Sequence, residues 1–151
     1  MLEIRRLCAG QETVAREMFA MMIAVFAEDE ENVNNGEPLR NDDITSLLQR
    51  EHFWAVAAIE DEAVVGGLTA HVLPMTRSRS AELFIYDLAV RADRQRRGIG
   101  RALVAELLTL GRAAGIDTAF VPADNEDTHA LEFYRAIGGT GAPVTFFTFS
   151  R

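Results

Sequence analysis

The sequence lacks the features of a secreted or membrane-embedded protein. It has a single cysteine, Cys8, so no disulfide can form within the chain. No apolar run approaches the ~18 residues of a membrane-spanning helix. The residues from Met1 to Arg6 also lack the apolar core of a secretory signal. We therefore expect a cytoplasmic protein.

Positive charge is scarce as well. The chain carries 15 arginines and no lysine against 23 aspartates and glutamates, a formal net charge of −8. A nucleic-acid partner would require a basic surface to displace counterions from phosphate, and an anionic membrane would require one too. The charge argues against both partners and suits a cationic small molecule, although solubility alone would also account for it.

Internal repeats and low-complexity tracts are absent, and the length and patterning indicate one folded domain. A chain of 151 residues that is 48% hydrophobic can bury a sizeable core, and we expect a single domain over residues 1–151. The apolar periodicity predicts the order β-α-α-β-β-β-α-β-α-β, an α/β fold whose mixed sheet has helices on both faces. The predicted strands are Leu2–Leu7, Phe53–Ile59, Ala63–Leu73, Ala81–Val90, Ile116–Val121 and Pro143–Phe149.

Apolar residues three or four apart locate the helices. The first predicted helix has an apolar face at Val14, Met18, Met21 or Met22, and Val25, and a short second helix, capped by Asn41 or Asp42, carries Ile44, Leu47 and Leu48. The third predicted helix has the apolar stripe Ile99, Leu103, Leu107 and Leu110. The last predicted helix covers Thr128–Ile137. Gly138 and Gly139 are expected to end the last helix. Gly66 and Gly67 are expected to allow a bulge or a tight bend in the third strand.

The most informative segment is a basic, glycine-containing loop between a predicted strand and a predicted helix. Free N–H groups at a helix N-terminus, together with the helix dipole, favour an anion. Gly98 and Gly100 would let a phosphate approach the backbone, and nearby arginines add positive charge: Arg91, Arg94, Arg96, Arg97 and Arg101. The nucleotide-binding patterns Gly-Lys-Ser/Thr and Gly-x-Gly-x-x-Gly do not fit. A solvated basic loop is the alternative interpretation.

This loop and the last helix resemble the GNAT superfamily of N-acetyltransferases over nearly the whole chain. Gln95-Arg96-Arg97-Gly98-Ile99-Gly100, called the phosphate loop below, matches the family pattern Gln/Arg-x-x-Gly-x-Gly/Ala. Residues 130–138, Ala-Leu-Glu-Phe-Tyr-Arg-Ala-Ile-Gly, match the family's Ala-x-x-Phe/Leu-Tyr-x-x-x-Gly helix. The resemblance implies a GNAT fold, with a mixed, mostly antiparallel sheet splayed at the middle and flanked by about four helices.

The resemblance also implies a cofactor site. The phosphate loop with Arg101 would bind the pyrophosphate of acetyl-CoA, the acetyl donor, and Leu88, Ala89 and Val90 would pair with its pantetheine arm. The family commonly has Asn seven residues before the helix tyrosine, where it contacts the cofactor, but this chain has Asp127 there. Asp127 is therefore either a cofactor contact or only the N-cap of the last helix. Because family members often dimerise, a homodimer is also expected.

A closer resemblance is to the aminoglycoside 3-N-acetyltransferases of the gentamicin and fortimicin type. It is carried by residues 63–67 (Ala-Val-Val-Gly-Gly), by 72–74 (Val-Leu-Pro), by Ala123-Asp124, and above all by residues 85–90 (Ile-Tyr-Asp-Leu-Ala-Val). The last segment places an acidic residue, Asp87, on the central strand. The resemblance implies an aminoglycoside antibiotic as the amine substrate, and hence resistance to it.

Acetyl transfer to an amine requires a proton acceptor, an oxyanion donor and an acid for the leaving thiolate. Tyr134, on the helix face that meets the cofactor sulfur in the family, is the candidate acid; a core aromatic is the alternative. Asp87 is the candidate base or amine anchor, or else a structural carboxylate. Strand alternation predicts that it faces away from Tyr86 and Leu88. The amides of residues 88–90 are the candidate oxyanion donors, and Cys8 has no pattern of a covalent catalyst, which favours direct attack in a ternary complex.

Carboxylates in two segments are candidate contacts of a cationic substrate. These are Glu28, Asp29, Glu30 and Glu31, which open an acidic stretch reaching to Asp43, and Asp124 and Glu126 before the last helix. A solvated loop explains the acidic stretch equally well. His52 and His71 have no partners at metal-ligand spacing, so we expect no metal.

Three functions are compatible with these residues. The first is acetylation of an aminoglycoside, at its 3-amino group. The second is acetylation of a polyamine, another small amine or a protein N-terminus. The third is a non-catalytic module that binds acyl-CoA and regulates a partner. The pairing of Tyr134 with the phosphate loop disfavours the third, because a sensor needs no acid.

Overall fold

The structure, a computed structural model, describes residues 1–29 and 36–151. It consists of two compact units, residues 1–121 and residues 122–151. Within the described residues, the first unit contains a sheet and three α-helices, and the second contains one α-helix. The single domain over residues 1–151 stays a prediction.

The sheet of the first unit contains five strands in the described residues, in the order β1-β2-β3-β4-β5. They are β1 (Leu2–Leu7), β2 (Phe53–Glu60), β3 (Ala63–Pro74), β4 (Ala81–Val90) and β5 (Thr118–Phe120). Strands β1 to β4 are antiparallel neighbours, and β5 runs parallel to β4. The predicted mixed, mostly antiparallel sheet is confirmed, and β1 and β4 have the predicted bounds.

The four α-helices are α1 (Glu12–Asp29), α2 (Asn41–Gln49), α3 (Ile99–Ala113) and α4 (Thr128–Ala136), and a 3₁₀ turn covers Ala92–Arg94. Among the described residues, none of these helices is both long and apolar enough to cross a bilayer. The predicted cap of α2 is wrong. Arg40 occupies the N-cap position, and its N–H donates to the Asp43 carboxylate at 2.8 Å. A carboxylate inside the first turn thus satisfies the helix end in place of a short polar cap.

Two successive glycines in β3 bring helices close to both faces of the sheet. A Cβ on Gly66 would lie 3.0 Å from the side chain of Ile99 in α3, and a Cβ on Gly67 would overlap Met18 of α1. Because neighbouring residues in a strand point to opposite faces, α1 and α3 cover opposite sides. The predicted bulge lies beside these glycines, since the register with β2 leaves Val65 as the extra residue.

The core of the first unit follows the predicted apolar faces. Met18 of α1, Ile44 of α2 and Leu103 of α3 are all less than 2% exposed. Burying a side chain of this size contributes about 1.5–3 kcal/mol, so these three positions attach the helices to the sheet. Their burial fits the helical periodicity of the sequence, in which apolar residues recur three or four apart.

The C-terminal segment departs from the prediction. Residues 143–149 form no strand, although Val144 and Phe146 are good strand residues. Their side chains are 75% and 72% exposed. Strand formation depends on a neighbouring strand that accepts the backbone hydrogen bonds, and local propensity does not supply one. β5 is likewise shorter than the predicted Ile116–Val121.

Candidate active site

The sheet opens halfway along β4. β5 pairs with β4 only through Glu82, Leu83 and Phe84, because β5 is three residues long. In the described residues, no strand pairs with the remainder of β4 on that side. The predicted splay at the middle of the sheet is therefore confirmed, and residues 88–90 have no strand partner on the β5 side within the described residues.

A β-bulge in β4 sets the directions of Tyr86 and Asp87. The register with β3 passes from Ile85 to Asp87, so that Tyr86 is the extra residue. The Tyr86 ring contacts that of His71, with centroids 5.6 Å apart. Asp87 lies opposite Thr69, which shares a face of β3 with His71. Tyr86 and Asp87 therefore lie on the same face, so strict alternation is wrong for Tyr86, because alternation fails at a bulge. It is confirmed for Leu88, which pairs with Leu68 and faces away from Asp87.

Asp87 sits on the α1 face of the central strand, at the point where the sheet opens. Its cross-strand partner Thr69 is only 4% exposed, and Asp87 itself is half-buried. A carboxylate in such surroundings interacts more strongly with a cation than one in bulk water does. Its role as base or amine anchor stays a prediction, and a structural role for this carboxylate remains the alternative.

The phosphate loop has the backbone geometry that an anion requires. Gly98 is the N-cap of α3 with φ 80° and ψ 9°, and Arg96 also has a positive φ, 63°. The first helical bond of α3 runs from the Ala102 N–H to the Gly98 carbonyl at 3.0 Å. The N–H groups of Ile99 and Gly100 thus lie in the first turn, which has no intrahelical acceptors. A Cβ on Gly98 would meet nothing within 4 Å, so the space in front of this turn is open.

Two of the arginines before the loop anchor it. Arg91 donates two hydrogen bonds to Asp93, at 2.7 and 2.8 Å. Arg94 donates to Asp93 at 2.8 Å and to Glu60 of β2 at 3.0 Å. The hydrogen bond from Arg91, with the positive charges of both arginines, lowers the pKa of Asp93 to about 2. Arg94 is held by these carboxylates, and a contribution of its charge beside a phosphate stays a prediction.

Of the remaining polar side chains of the loop, one is hydrogen-bonded to the backbone and two are exposed to solvent. The side-chain amide of Gln95 donates to the Val90 carbonyl at 3.0 Å and closes the turn after β4. Arg96 and Arg97 are exposed, and within the described residues no ion pair involves them. The contacts of Gln95, Arg96 and Arg97 with a cofactor stay predictions.

In the second unit, two candidate carboxylates have structural partners. Asp127 is the N-cap of α4, where its carboxylate accepts from the Ala130 N–H at 3.0 Å. Asp124 accepts from the Glu126 N–H, also at 3.0 Å, in the turn before the helix. The capping interpretation of Asp127 is confirmed. A cofactor contact of Asp127 and substrate contacts of Asp124 and Glu126 stay predictions.

Tyr134, the candidate acid, lies on α4, and its role stays a prediction. The phenol is half-buried, and its ring packs edge to face with Phe133 at 5.1 Å. Burial raises the pKa of Tyr134 above its usual value, and the negative charge of Asp127 adds a smaller effect in the same direction. The helix ends as predicted, because Gly138 has φ 104° and Gly139 donates to the Tyr134 carbonyl at 2.8 Å.

The acidic stretch is not one continuous loop. Glu28 and Asp29 end α1, where Glu28 is exposed, and Asp43 caps α2. Glu30 and Glu31 lie outside the described residues. The structure thus divides the stretch between two helices, and the substrate contacts assigned to Glu28 through Glu31 stay predictions.

Sequence reasoning missed an aromatic group beside Asp87. Phe53, His71, Phe84 and Phe120 are successive cross-strand partners on β2 to β5 and are called the aromatic row below. A cavity of about 430 Å³ lies above this row and is lined by Phe53, His71, Phe84 and the bulged Tyr86, among others. Each strand contributes a single ring, so only the strand register reveals the row.

Comparison with known proteins identifies the family. Residues 18–138 match the acetyltransferase (GNAT) family, which covers most of the chain. The chain belongs to this family. GNAT enzymes use acetyl-CoA as acetyl donor, and the Gly98 turn fits the pyrophosphate of that molecule. No curated protein sequence matches the chain.

Solved structures resemble this GNAT chain over its full length. One of them is meta-AAC0020, an aminoglycoside acetyltransferase from an uncultured soil metagenomic sample, in complex with trehalose. It is 30% identical to this chain with a TM-score of 0.92, and the match covers 99% of this chain and 96% of that one. HMB0005, an aminoglycoside acetyltransferase from an uncultured soil metagenomic sample, is 32% identical with a TM-score of 0.88 and coverage of 100% and 99%. AAC(6')-Iy with a bisubstrate analogue, at 18% identity, a TM-score of 0.80 and coverage of 100% and 99%, shares the fold.

Proposed function

We propose that this GNAT enzyme transfers the acetyl group of acetyl-CoA to an aminoglycoside antibiotic, at the 3-amino group, and so confers resistance. The observation that carries the proposal is the likeness to meta-AAC0020, 30% identical over 99% of this chain. The same metagenomic enzyme has also been crystallised with sisomicin, an aminoglycoside. The choice of the 3-amino group rests on the resemblance of residues 85–90 to the 3-N-acetylating enzymes.

The donor would be held at the end of β4. The first-turn N–H groups of α3 and the open space at Gly98 suit a pyrophosphate, and exposed Arg96 and Arg97 add charge. Acetyl-CoA supplies an activated acyl group as a thioester. The edge of residues 88–90, which β5 leaves uncovered, offers N–H groups to the pantetheine arm and to the developing oxyanion.

The chemical step requires two proton transfers. The amine nitrogen forms a bond to the acetyl carbon, and the carbon–sulfur bond breaks. Asp87, directly or through water, accepts the proton that the amine loses, and Tyr134 gives its phenolic proton to the leaving sulfur. A carboxylate that is half-buried beside a buried threonine suits the first task. A phenol whose pKa is raised suits the second, because it keeps its proton at neutral pH.

Acetyl-CoA turnover with individual amines tests this proposal. We expect thiol release with gentamicin and sisomicin, with the acetyl group located on the 3-nitrogen by NMR of the product. A susceptible bacterium that expresses the chain should survive gentamicin. Acetylation at another nitrogen would overturn only the position. Turnover of spermidine without turnover of any aminoglycoside would overturn the substrate class and leave the polyamine alternative.

A further inference from the structure

The cavity over the aromatic row has the size and chemistry of a subsite for one sugar ring. Its volume is about 430 Å³, which falls within the usual range of small-molecule pockets. It lies on the α1 and α2 face, because its lining includes Leu47 of α2. Asp87 is the residue after Tyr86 and lies on the same face of β4. An amine held at Asp87 would therefore place the ring attached to it toward this cavity.

The bulge gives Tyr86 an exposed yet supported ring. Tyr86 is 65% exposed, although it lies in the central part of a strand. Its ring packs at a steep angle against His71 and contacts Phe84 with centroids 6.0 Å apart. His71 in turn packs against Phe53 at 5.5 Å. An exposed aromatic ring held by neighbours loses little entropy when a ligand packs on it.

We propose that the cavity lined by Phe53, His71, Phe84 and Tyr86 is the acceptor subsite, in which Tyr86 packs against a ring of the polycationic amino sugar. The inference rests on the proposed function, which it deepens. Ammonium groups are attracted to the faces of aromatic rings, and the carbon–hydrogen face of a sugar packs on the same surface. The ring of Tyr86 supplies the binding, and its hydroxyl is not required.

One cation sets the orientation of the ligand. Arg50, at the C-cap of α2, lines the cavity together with His52. Its positive charge disfavours ammonium groups at that end, whereas the carboxylate of Asp87 attracts them along β4 beyond Tyr86. The amino sugar should therefore enter with its most highly charged part toward Asp87. Arg50→Gln should lower KM for a substrate with many amines more than for one with few.

Substitutions at Tyr86 test the subsite by steady-state kinetics. Tyr86→Leu removes the aromatic face and should raise KM for sisomicin about tenfold, with kcat and the affinity for CoA changed by less than about twofold. Tyr86→Phe keeps the face and should retain the wild-type KM. Phe120→Leu is the matched control, because Phe120 belongs to the aromatic row but does not line the cavity; its KM should stay near that of wild type.

A binding measurement separates this inference from the proposed function. The chain has only two tyrosines, Tyr86 and Tyr134. In Tyr134→Phe protein with labelled tyrosine, the one ring signal belongs to Tyr86, and it should shift when sisomicin is added with CoA. If wild type acetylates sisomicin but Tyr86→Leu keeps its KM, the subsite is wrong and the function stands. If the signal shifts without any acetylation, the function is wrong and the subsite stands. If neither occurs, both are wrong.

Discussion

At the scale of single residues, Gly98 has a positive φ of 80°, and we predict that it lets the pyrophosphate of the cofactor approach the backbone. Gly98→Val should weaken CoA binding by about tenfold or more, because a branched side chain would occupy the open space before the first turn of α3. Isothermal calorimetry with CoA measures this affinity. Gly115 is a matched control, because it has φ 79° against 80° for Gly98 and is equally open.

The backbone strain in Gly115→Val should resemble that in Gly98→Val, so the thermal stability of the two variants should fall by similar amounts. Its CoA affinity should not change, because Gly115 follows the other end of α3. Equal CoA affinities for the two folded variants would refute the assignment of the phosphate loop.

Tyr134 is the second residue with a sharp prediction. Tyr134→Phe keeps the ring and removes the proton, so kcat should fall by ~10²-fold or more while CoA affinity changes little. If kcat stays within about twofold, either Tyr134 is not the acid or a physical step limits turnover. A solvent isotope effect on wild type separates these two explanations.

If Tyr134 is the acid, its pKa should set the basic limit of activity. An acid acts in its protonated form, and burial and Asp127 raise this pKa, so kcat should hold its plateau up to pH ~10. The same pKa shift makes the folded protein less stable at high pH than at neutral pH. The raised pKa contributes stability below the unfolded-state value of ~10, and this stability is lost as the pH rises through the folded-state value. A kcat profile that falls near pH 8 would identify a different group.

At the scale of elements, the turn between β4 and α3 is held by charge. Asp93→Asn should weaken the attachment of Arg91 and Arg94, so hydrogen exchange in residues 91–98 should accelerate and CoA affinity should fall a few-fold. The pKa of Asp93 is lowered to about 2, so its contribution is present above ~3.8 and is lost as the pH falls toward 2. Glu3→Gln, which removes an exposed pair with Arg5 on β1, is the control and should leave both quantities unchanged.

The elements also show where sequence reasoning succeeds. The phosphate loop was predictable because a strand end, two glycines and a helix start are adjacent in sequence, and turn chemistry is local. The N-cap role of Asp127 was predictable for the same reason. The bulge at Tyr86 was not, because a bulge is defined by the register with β3 and no local residue pattern marks it. The orientation of Asp87 relative to Tyr86 was inferred wrongly as a result, whereas its orientation relative to Leu88 was inferred correctly.

At the scale of the whole molecule, the net charge of −8 should influence substrate capture. KM for an aminoglycoside should rise with ionic strength, because salt screens attraction beyond ~10 Å at 0.1 M. Asp87→Asn should reduce turnover more than Glu28→Gln, since Asp87 is half-buried on the central strand and Glu28 is exposed. A KM that does not change with salt would show that long-range attraction plays no part in substrate binding. Equal turnover in the two variants would show that Asp87 does not take part in the reaction.

By itself, the sequence determined where most strands and helices lie, where the phosphate loop lies and which family the chain belongs to. Each of these depends on residues that are close along the chain. Tertiary structure decided which side chains meet. It aligned four rings from β2 to β5, paired Arg94 with Glu60, and left residues 143–149 without a strand. These outcomes depend on strand register and on partners distant in sequence, which the folded chain selects through packing and hydrogen bonding of the complete sheet.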